Sequence, residues 1–204
     1  DSDRLGIAVR NENNELELLN GNQIMIVLTN FVLEKENFRN LNNPFVATTI
    51  VSSPMLKKIA EYYNVDCKHT LTGFKWIANL IENSPDSKFI CGGEESYGFM
   101  KGDFVRDKDA ITSSLLACEI VAEAKSNKKS FFSILVDLYV KFGLFHDKLV
   151  SIEKKGMRGA EQIKNLIDGF RNQPPNLLDG SEIIINEDYL TSKRYDVRLK
   201  QLTK

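Results

Sequence analysis

The 204 residues carry 42% hydrophobic and 27% charged side chains, globular proportions that allow one domain of ordinary size with some extra, or two small ones. A formal net charge of −1 gives no reason to expect nucleic acid or an anionic membrane as a partner. No apolar run approaches the roughly 20 residues that span a bilayer, and no signal-peptide pattern is found.

In chain order, "RLGIAVRNENNELELLN" (4–20) predicts a hairpin. Leu5, Ile7 and Val9 alternate, the Asn-rich "NENN" turns the chain, and Leu16 and Leu18 alternate back. At Gly21 the period changes. Ile24, Val27, Leu28 and Phe31 stand at i, i+3, i+4, i+7, a helix face, so a domain boundary is expected there. "PFVATTIVSS" is a β-branched run suited to a strand buried on both faces. In "SPMLKKIAEYY", Ser53 is placed as N-cap and Pro54 at the first helical position. "TGFKWIANLI" sets Phe74, Ile77, Ala78 and Ile81 on one helix face. "SKFIC" predicts a short buried strand that leads into the loop "GGEESYGFMKGDFVRDKD". Asp109 is placed as the cap of a helix whose buried face is Ile111, Leu115, Cys118 and Ala122. "SFFSILVDLYVKFG" predicts a helix ended by Gly143, "FHDKLVSIE" a strand, "GAEQIKNLIDGF" a helix, and "SEIIIN" a last strand after Pro174-Pro175. Alternating strands and helices make the class α/β, with a mixed or largely parallel sheet flanked by helices. The three cysteines, Cys67, Cys91 and Cys118, share no C-x-x-C spacing and read as reduced, mostly buried thiols of a cytoplasmic protein.

Three stretches carry candidate chemistry. "GGEESYG" follows a strand, and ligands of open α/β sheets bind beyond the carboxyl ends of strands. A carboxylate there accepts hydrogen bonds from two neighbouring sugar hydroxyls at once, a serine hydroxyl both donates and accepts, and flanking glycines let the backbone approach. The same residues would also make a solvated acidic turn. In "DSDR", Asp1 and Asp3 offer a hard cation such as Mg²⁺ two oxygen ligands, or form an ordinary polar turn. In "RDKD", Lys108 either neutralises phosphate and carries a proton, or pairs with Asp107 or Asp109 on the surface. The two histidines, His69 and His146, lie too far apart for an H-E-x-x-H metal site, and no G-x-G-x-x-G or phosphate-loop motif occurs.

Taken together, "DSDRLGIAV", "TLTGFKWI" and "GGEESYGFMKGDFVRDKDAI" resemble the α-D-phosphohexomutases, the phosphoglucomutase/phosphomannomutase group, in this order and spacing. Members of that family have four domains around a deep cleft. The resemblance implies that residues 1–20 are the end of domain two with part of the metal loop, 21–180 the sugar-binding domain three, and 181–204 a link toward domain four. The donor-serine loop of domain one ("TASHNP" in many members) and the "R-x-S-G-T" phosphate loop of domain four have no counterpart in the chain. Of the family's D-x-D-x-D-R metal loop, Asp1 and Asp3 match the last two aspartates and Arg4 the arginine.

The residue roles follow from the resemblance. Glu94 and Ser96 stand where the family binds sugar hydroxyls, with Glu95 supporting their loop. Thr72, Gly73 and Lys75 match a second loop that tells sugar orientations apart. Lys108 matches a proposed general acid/base, and Arg4 a residue beside the metal. The implied parent enzyme is an isomerase of carbohydrate metabolism, an Mg²⁺-dependent phosphoglucomutase. It would interconvert glucose 1-phosphate and glucose 6-phosphate through a phosphoserine and a bisphosphate intermediate. Phosphomannomutase and phosphopentomutase are sister readings. A non-catalytic sugar-binding domain is the reading from another class. The expected partners are a phosphosugar and the parent's domains one and four. The chain alone is expected to fold, to bind Mg²⁺ weakly or not at all, and to be inactive.

Overall fold

The computed structural model describes residues 2–190 apart from 12, 37, 148, 150 and 185, with the side chains of 39 and 157 also set aside. Two compact units divide near residue 147.

The first unit opens with the expected hairpin, β1 (Ala8–Arg10) against antiparallel β2 (Leu16–Leu18). The register pairs Ala8 with Leu18 and Arg10 with Leu16. Leu16 and Leu18 therefore share the outward face and are exposed, while Leu5, Ile7 and Val9 pack on the main core. Helix α1 (Gly21–Lys35) starts at a capping box between Asn20 and Gln23, which satisfies two of the helix's orphan N–H groups. It is buried almost all round, because it lies in contact with β5, α2, α4 and α5 as well as showing the single apolar face read from its sequence.

A four-stranded sheet follows, ordered β4-β3-β5-β6. Strands β3 (Phe45–Thr49), β4 (Asp66–Thr70) and β5 (Phe89–Gly93) are parallel, and β6 (Phe99–Lys101) returns antiparallel beside β5. Central β3 alternates between two cores. Val46 joins the large cluster built by α1, α2 (Met55–Tyr62), α4 (Ala110–Ser126) and α5 (Phe131–Phe142). Phe45 and Ala47 join a smaller cluster under α3 (Phe74–Glu82), where Phe45 meets Phe89 edge to face at 5.6 Å. Burial on both faces is why the strand carries no charged residue.

Several elements differ from expectation. β4, the edge strand "DCKHT", and β6, inside the glycine-rich loop, had no strand signal: the first is half-exposed and polar, the second only three residues long. The α2 helix begins at Met55, after i→i+3 bonds from Leu56 to Ser53 and from Lys57 to Pro54 tighten the entry, so Pro54 occupies the cap position. On α4 the buried residues are Ser113, Leu116, Ala117, Ile120 and Ala124, whereas Ile111, Leu115, Cys118 and Ala122 face outward. Among the described residues of "FHDKLVSIE" no strand forms. Asp109 caps α4 as expected, and α5 ends at Gly143 with φ 99°.

The second unit contains α6 (Gly156–Asn172) and a short hairpin, β7 (Leu177–Leu178) with β8 (Ser181–Glu182). Among the described residues of the expected last strand, Ser181 and Glu182 alone pair. The α6 stripe Ile163, Leu166, Ile167 and Phe170 is exposed. Among the described residues no helix is long and apolar enough to cross a membrane.

The cysteines are free thiols. Burial pushes Cys67 and Cys91 up to about 12, so both stay protonated and unreactive. Cys118 is exposed, contrary to its expected packing role, because α4 turns its other side to the core.

Candidate functional site

The "GGEESYG" stretch is the turn of the β5–β6 hairpin. The N–H of Glu94 donates to the carbonyl of Gly98 at 2.9 Å, and Tyr97 takes φ 72° at the tip, a left-handed geometry that lets the chain reverse in few residues. Glu94 sits just past the carboxyl end of β5 and is only 6% exposed, while Ser96 is half-buried and Tyr97 exposed. A buried carboxylate is retained where something polar meets it. Here the facing charge is Arg4, whose Nη2 stands 3.9 Å from Glu94 Oε1.

Lys108 approaches the same hairpin from the loop after β6. The backbone bond from Asp109 N–H to Phe99 carbonyl, 3.0 Å, ties that loop to the strand. Gly98 makes room for it: a Cβ there would lie 2.5 Å from Lys108 Cδ and 3.1 Å from Glu94 Cγ. The two side chains thus flank one glycine, and only glycine fits between them. Lys108 Nζ donates to Asp107 Oδ1 at 2.9 Å and pairs with Asp3 Oδ1 at 3.3 Å. It also stands 5.1 Å over the Phe74 ring. Burial pushes its ammonium down, but the hydrogen bonds to Asp107 and Asp3 outweigh that and hold its pKa above the ordinary lysine value. Reciprocally, the Lys108 ammonium holds the Asp107 carboxyl below its ordinary value. Lys108 is held as a cation, a fixed positive charge whose proton is given up less readily than that of a free lysine.

The structure brings Asp3, Arg4, Glu94 and Lys108 into one charged cluster. Gly73 and Lys75 line, with Arg106 and Lys108, a neighbouring cleft of about 510 Å³. Gly73 has φ 111° and leads into α3. Thr72 and Lys75 are exposed, and Lys75 Nζ lies 5.1 Å over the Trp76 ring. Asp1 lies outside the described residues. Among the described residues no three His, Cys, Asp or Glu converge as a metal-binding group. One participant was not singled out from sequence: Phe74, read only as core, is also the ring under Lys108. Asp107, named from sequence as a possible partner of Lys108, is the carboxylate that holds it, and Asp109 instead caps α4.

A family model described as phosphoglucomutase/phosphomannomutase, alpha/beta/alpha domain III, matches residues 20–142. A phosphoglucomutase of Staphylococcus epidermidis is 39% identical over 199 residues, 97% of this chain and 36% of its own length. One from Staphylococcus aureus is 37% identical over 198 residues, again 97% of this chain and 36% of the relative. The chain therefore spans about a third of the length of these curated relatives. Among solved structures, Paramecium parafusin in its open form superposes with a TM-score of 0.54 at 24% identity, covering 71% of this chain and 24% of that one, a likeness of fold.

Proposed function

The chain belongs to the phosphoglucomutase/phosphomannomutase family, as its α/β/α domain III, and from that membership we propose that it is the sugar-recognition part of a phosphoglucomutase that interconverts glucose 1-phosphate and glucose 6-phosphate. The observation that carries the reading is the buried Glu94 carboxylate at the carboxyl end of β5, with Lys108 across Gly98.

In this reading Glu94 accepts hydrogen bonds from two adjacent sugar hydroxyls and Ser96 adds a third contact. Charge-assisted bonds of this kind are worth about 1.5–3 kcal/mol each when water is excluded. A carboxylate that grips a pair of hydroxyls serves the sugar in either orientation, as a mutase requires. Lys108 and Arg4 supply positive charge beside the moving phosphoryl group, where catalysis is chiefly positioning and charge stabilisation. For Lys108 to give its proton to the sugar oxygen that becomes a hydroxyl, the hold of Asp107 and Asp3 on its ammonium must be released in the bound state. Gly73, Lys75 and Thr72 form the open side, where the sugar's orientation is sensed. Mg²⁺ does not fit the described residues as they stand: Asp3 is occupied by Lys108 and Arg4, and a metal in the parent enzyme needs Asp3 released and further oxygen ligands. The parent is placed in the cytoplasm, in keeping with the free thiols.

The test is turnover of glucose 1-phosphate, mannose 1-phosphate and ribose 1-phosphate by the full-length parent and by the 204-residue chain. The expected result is glucose 1-phosphate as best substrate for the parent and no turnover by the chain alone. Preference for mannose or ribose phosphate, or activity of the isolated chain, would overturn it.

A further inference from the structure

The residue after Glu94 is held by a different part of the fold. Thr49, the last residue of β3 and 1% exposed, donates its hydroxyl to Glu95 Oε2 at 2.9 Å. Thr49 Oγ1 also lies 2.9 Å from Ser52 Oγ, and Ser52 Oγ accepts from the Thr49 N–H at 3.2 Å. With the Thr49 proton committed to Glu95, the Ser52 hydroxyl donates to Thr49, and the protons run one way, from Ser52 through Thr49 to Glu95. The backbone is gripped as well. A Cβ on Gly21, at the start of α1, would lie 1.9 Å from the Glu95 carbonyl oxygen and 2.7 Å from the Tyr97 nitrogen. The same first turn of α1 holds the β3–α2 corner, through Asn22 Oδ1 accepting from Ser53 N–H at 2.9 Å. On the far side the Leu5 N–H donates to the Tyr97 carbonyl at 3.2 Å.

We propose that the Thr49–Glu95 hydrogen bond, seated on Gly21, is a latch that fixes the aim of the Glu94 carboxylate, making Thr49, Glu95 and Gly21 positioning residues for sugar recognition. The proposal rests on reading Glu94 as the sugar ligand. Its physical content is a division of labour between two adjacent acids. Glu94 is buried and faces Arg4 and Lys108, while Glu95 is half-exposed and turned to the end of the neighbouring strand. Breaking the latch lets Glu95 return to water, so folding changes little. The hairpin keeps its Glu94–Gly98 bond but loses the restraint that sets its tilt against β3. A displacement of about 1 Å at a ligand-positioning group is enough to lower binding or rate by large factors.

The experiment pairs two readouts. Amide exchange of Glu94 is followed by NMR in the 204-residue chain, and KM and kcat for glucose 1-phosphate are measured in the full-length parent. Thr49→Val and Glu95→Ala are expected to speed Glu94 exchange and raise KM, each about tenfold, the order of one charged hydrogen bond, with kcat within about threefold. Thr49→Ser restores the hydroxyl and stays within about twofold of wild type in either readout, and Glu95→Gln, which retains an accepting oxygen without the charge, falls between wild type and Glu95→Ala. Wild-type exchange and KM in Thr49→Val and Glu95→Ala would overturn the latch. So would equal damage from Glu95→Gln and Glu95→Ala, which would make the charge of Glu95 the active feature. Should Thr49→Val fail to fold, Glu95→Ala, on the half-exposed side, decides alone. Faster exchange with unchanged KM, together with a neutral Glu94→Ala, would uphold the latch and sink the sugar reading instead.

Discussion

Two loops border Lys108, and they are built by opposite means. The β5–β6 turn is held from every side. Glu94 N–H closes on Gly98, the Glu95 carbonyl lies against Gly21, Glu95 is bound by Thr49, and Tyr97 is held by Leu5. The entry to α3, the loop through Thr72 and Gly73 with the helix's first residues, buries Phe74 at 4% exposed and leaves Thr72 and Lys75 in water. A group fixed in advance loses little conformational entropy when a ligand arrives, whereas a solvated side chain must be ordered at that moment. The hairpin is thus suited to contacts that are the same for every bound pose. The open loop is suited to contacts that change with the pose, as a sugar bound in two orientations demands.

The comparison is broken or sharpened by substitution, and the largest expected effect is at the junction of the two loops. In the full-length parent, Lys108→Ala removes proton donation and lowers kcat by about 10²–10⁴-fold. Lys129→Ala, which removes only an exposed pair with Asp137, leaves kcat within about twofold. If both variants turn over like wild type, Lys108 is a structural cation and the junction has no catalytic role.

Next in size is the Asp109 cap below the hairpin. Its carboxylate accepts from the Thr112 hydroxyl and from the N–H groups of Thr112 and Ile111. These bonds, the Thr112 hydroxyl first, hold its pKa below the ordinary aspartate value. A depressed carboxylate contributes stability that is present above the unfolded-state pKa, about 3.9, and is lost as pH falls through the folded value. Asp109→Ala should lower stability by about 1 kcal/mol at pH 7, and the gap from wild type should shrink below about pH 4 in urea titrations. A gap that stays constant down to pH 2 would show that the charge is not what caps α4.

The smallest effect is expected on the open side. Thr72→Ala removes an exposed hydroxyl and should leave Tm unchanged, since surface changes stay near ±0.5 kcal/mol of stability, while kcat/KM for glucose 1-phosphate falls by about threefold to tenfold, the order of one neutral hydrogen bond. A loss of 100-fold would mean that this loop is as preorganised as the hairpin.

How much of this was legible in sequence differs between neighbouring elements. Helix α5 was read with its run of apolar residues and its terminal glycine in agreement, and the structure adds Ser130 as its cap. Helix α4 was read with the right cap and the wrong face. Its apolar and small residues occur on every side, and packing against β6, α1 and α5 chose the stripe through Leu116, Ala117 and Ile120 instead of the one through Ile111, Leu115 and Cys118. β4 was missed because an edge strand has one neighbour and tolerates "DCKHT". Glu94 and Lys108 stood out because carboxylates bracketed by glycines and a lysine between aspartates are unusual at a strand end. The Thr49–Glu95 contact was invisible, since Thr49 lies 46 residues away within what reads as an ordinary β-branched strand.

We propose above all that the Glu94 carboxylate grips two adjacent sugar hydroxyls. The direct measurement is kcat/KM of wild type and Glu94→Ala in the full-length parent with glucose 1-phosphate and its 2-, 3- and 4-deoxy analogues. Wild type should lose about tenfold or more on each of two analogues that lack neighbouring hydroxyls, the order of one charged hydrogen bond apiece. Glu94→Ala, already about 10²-fold slower on glucose 1-phosphate, should lose nothing further on those two, because the partner of the missing hydroxyl is gone. If the deoxy penalties are the same in both proteins, Glu94 does not touch the sugar and the claim fails.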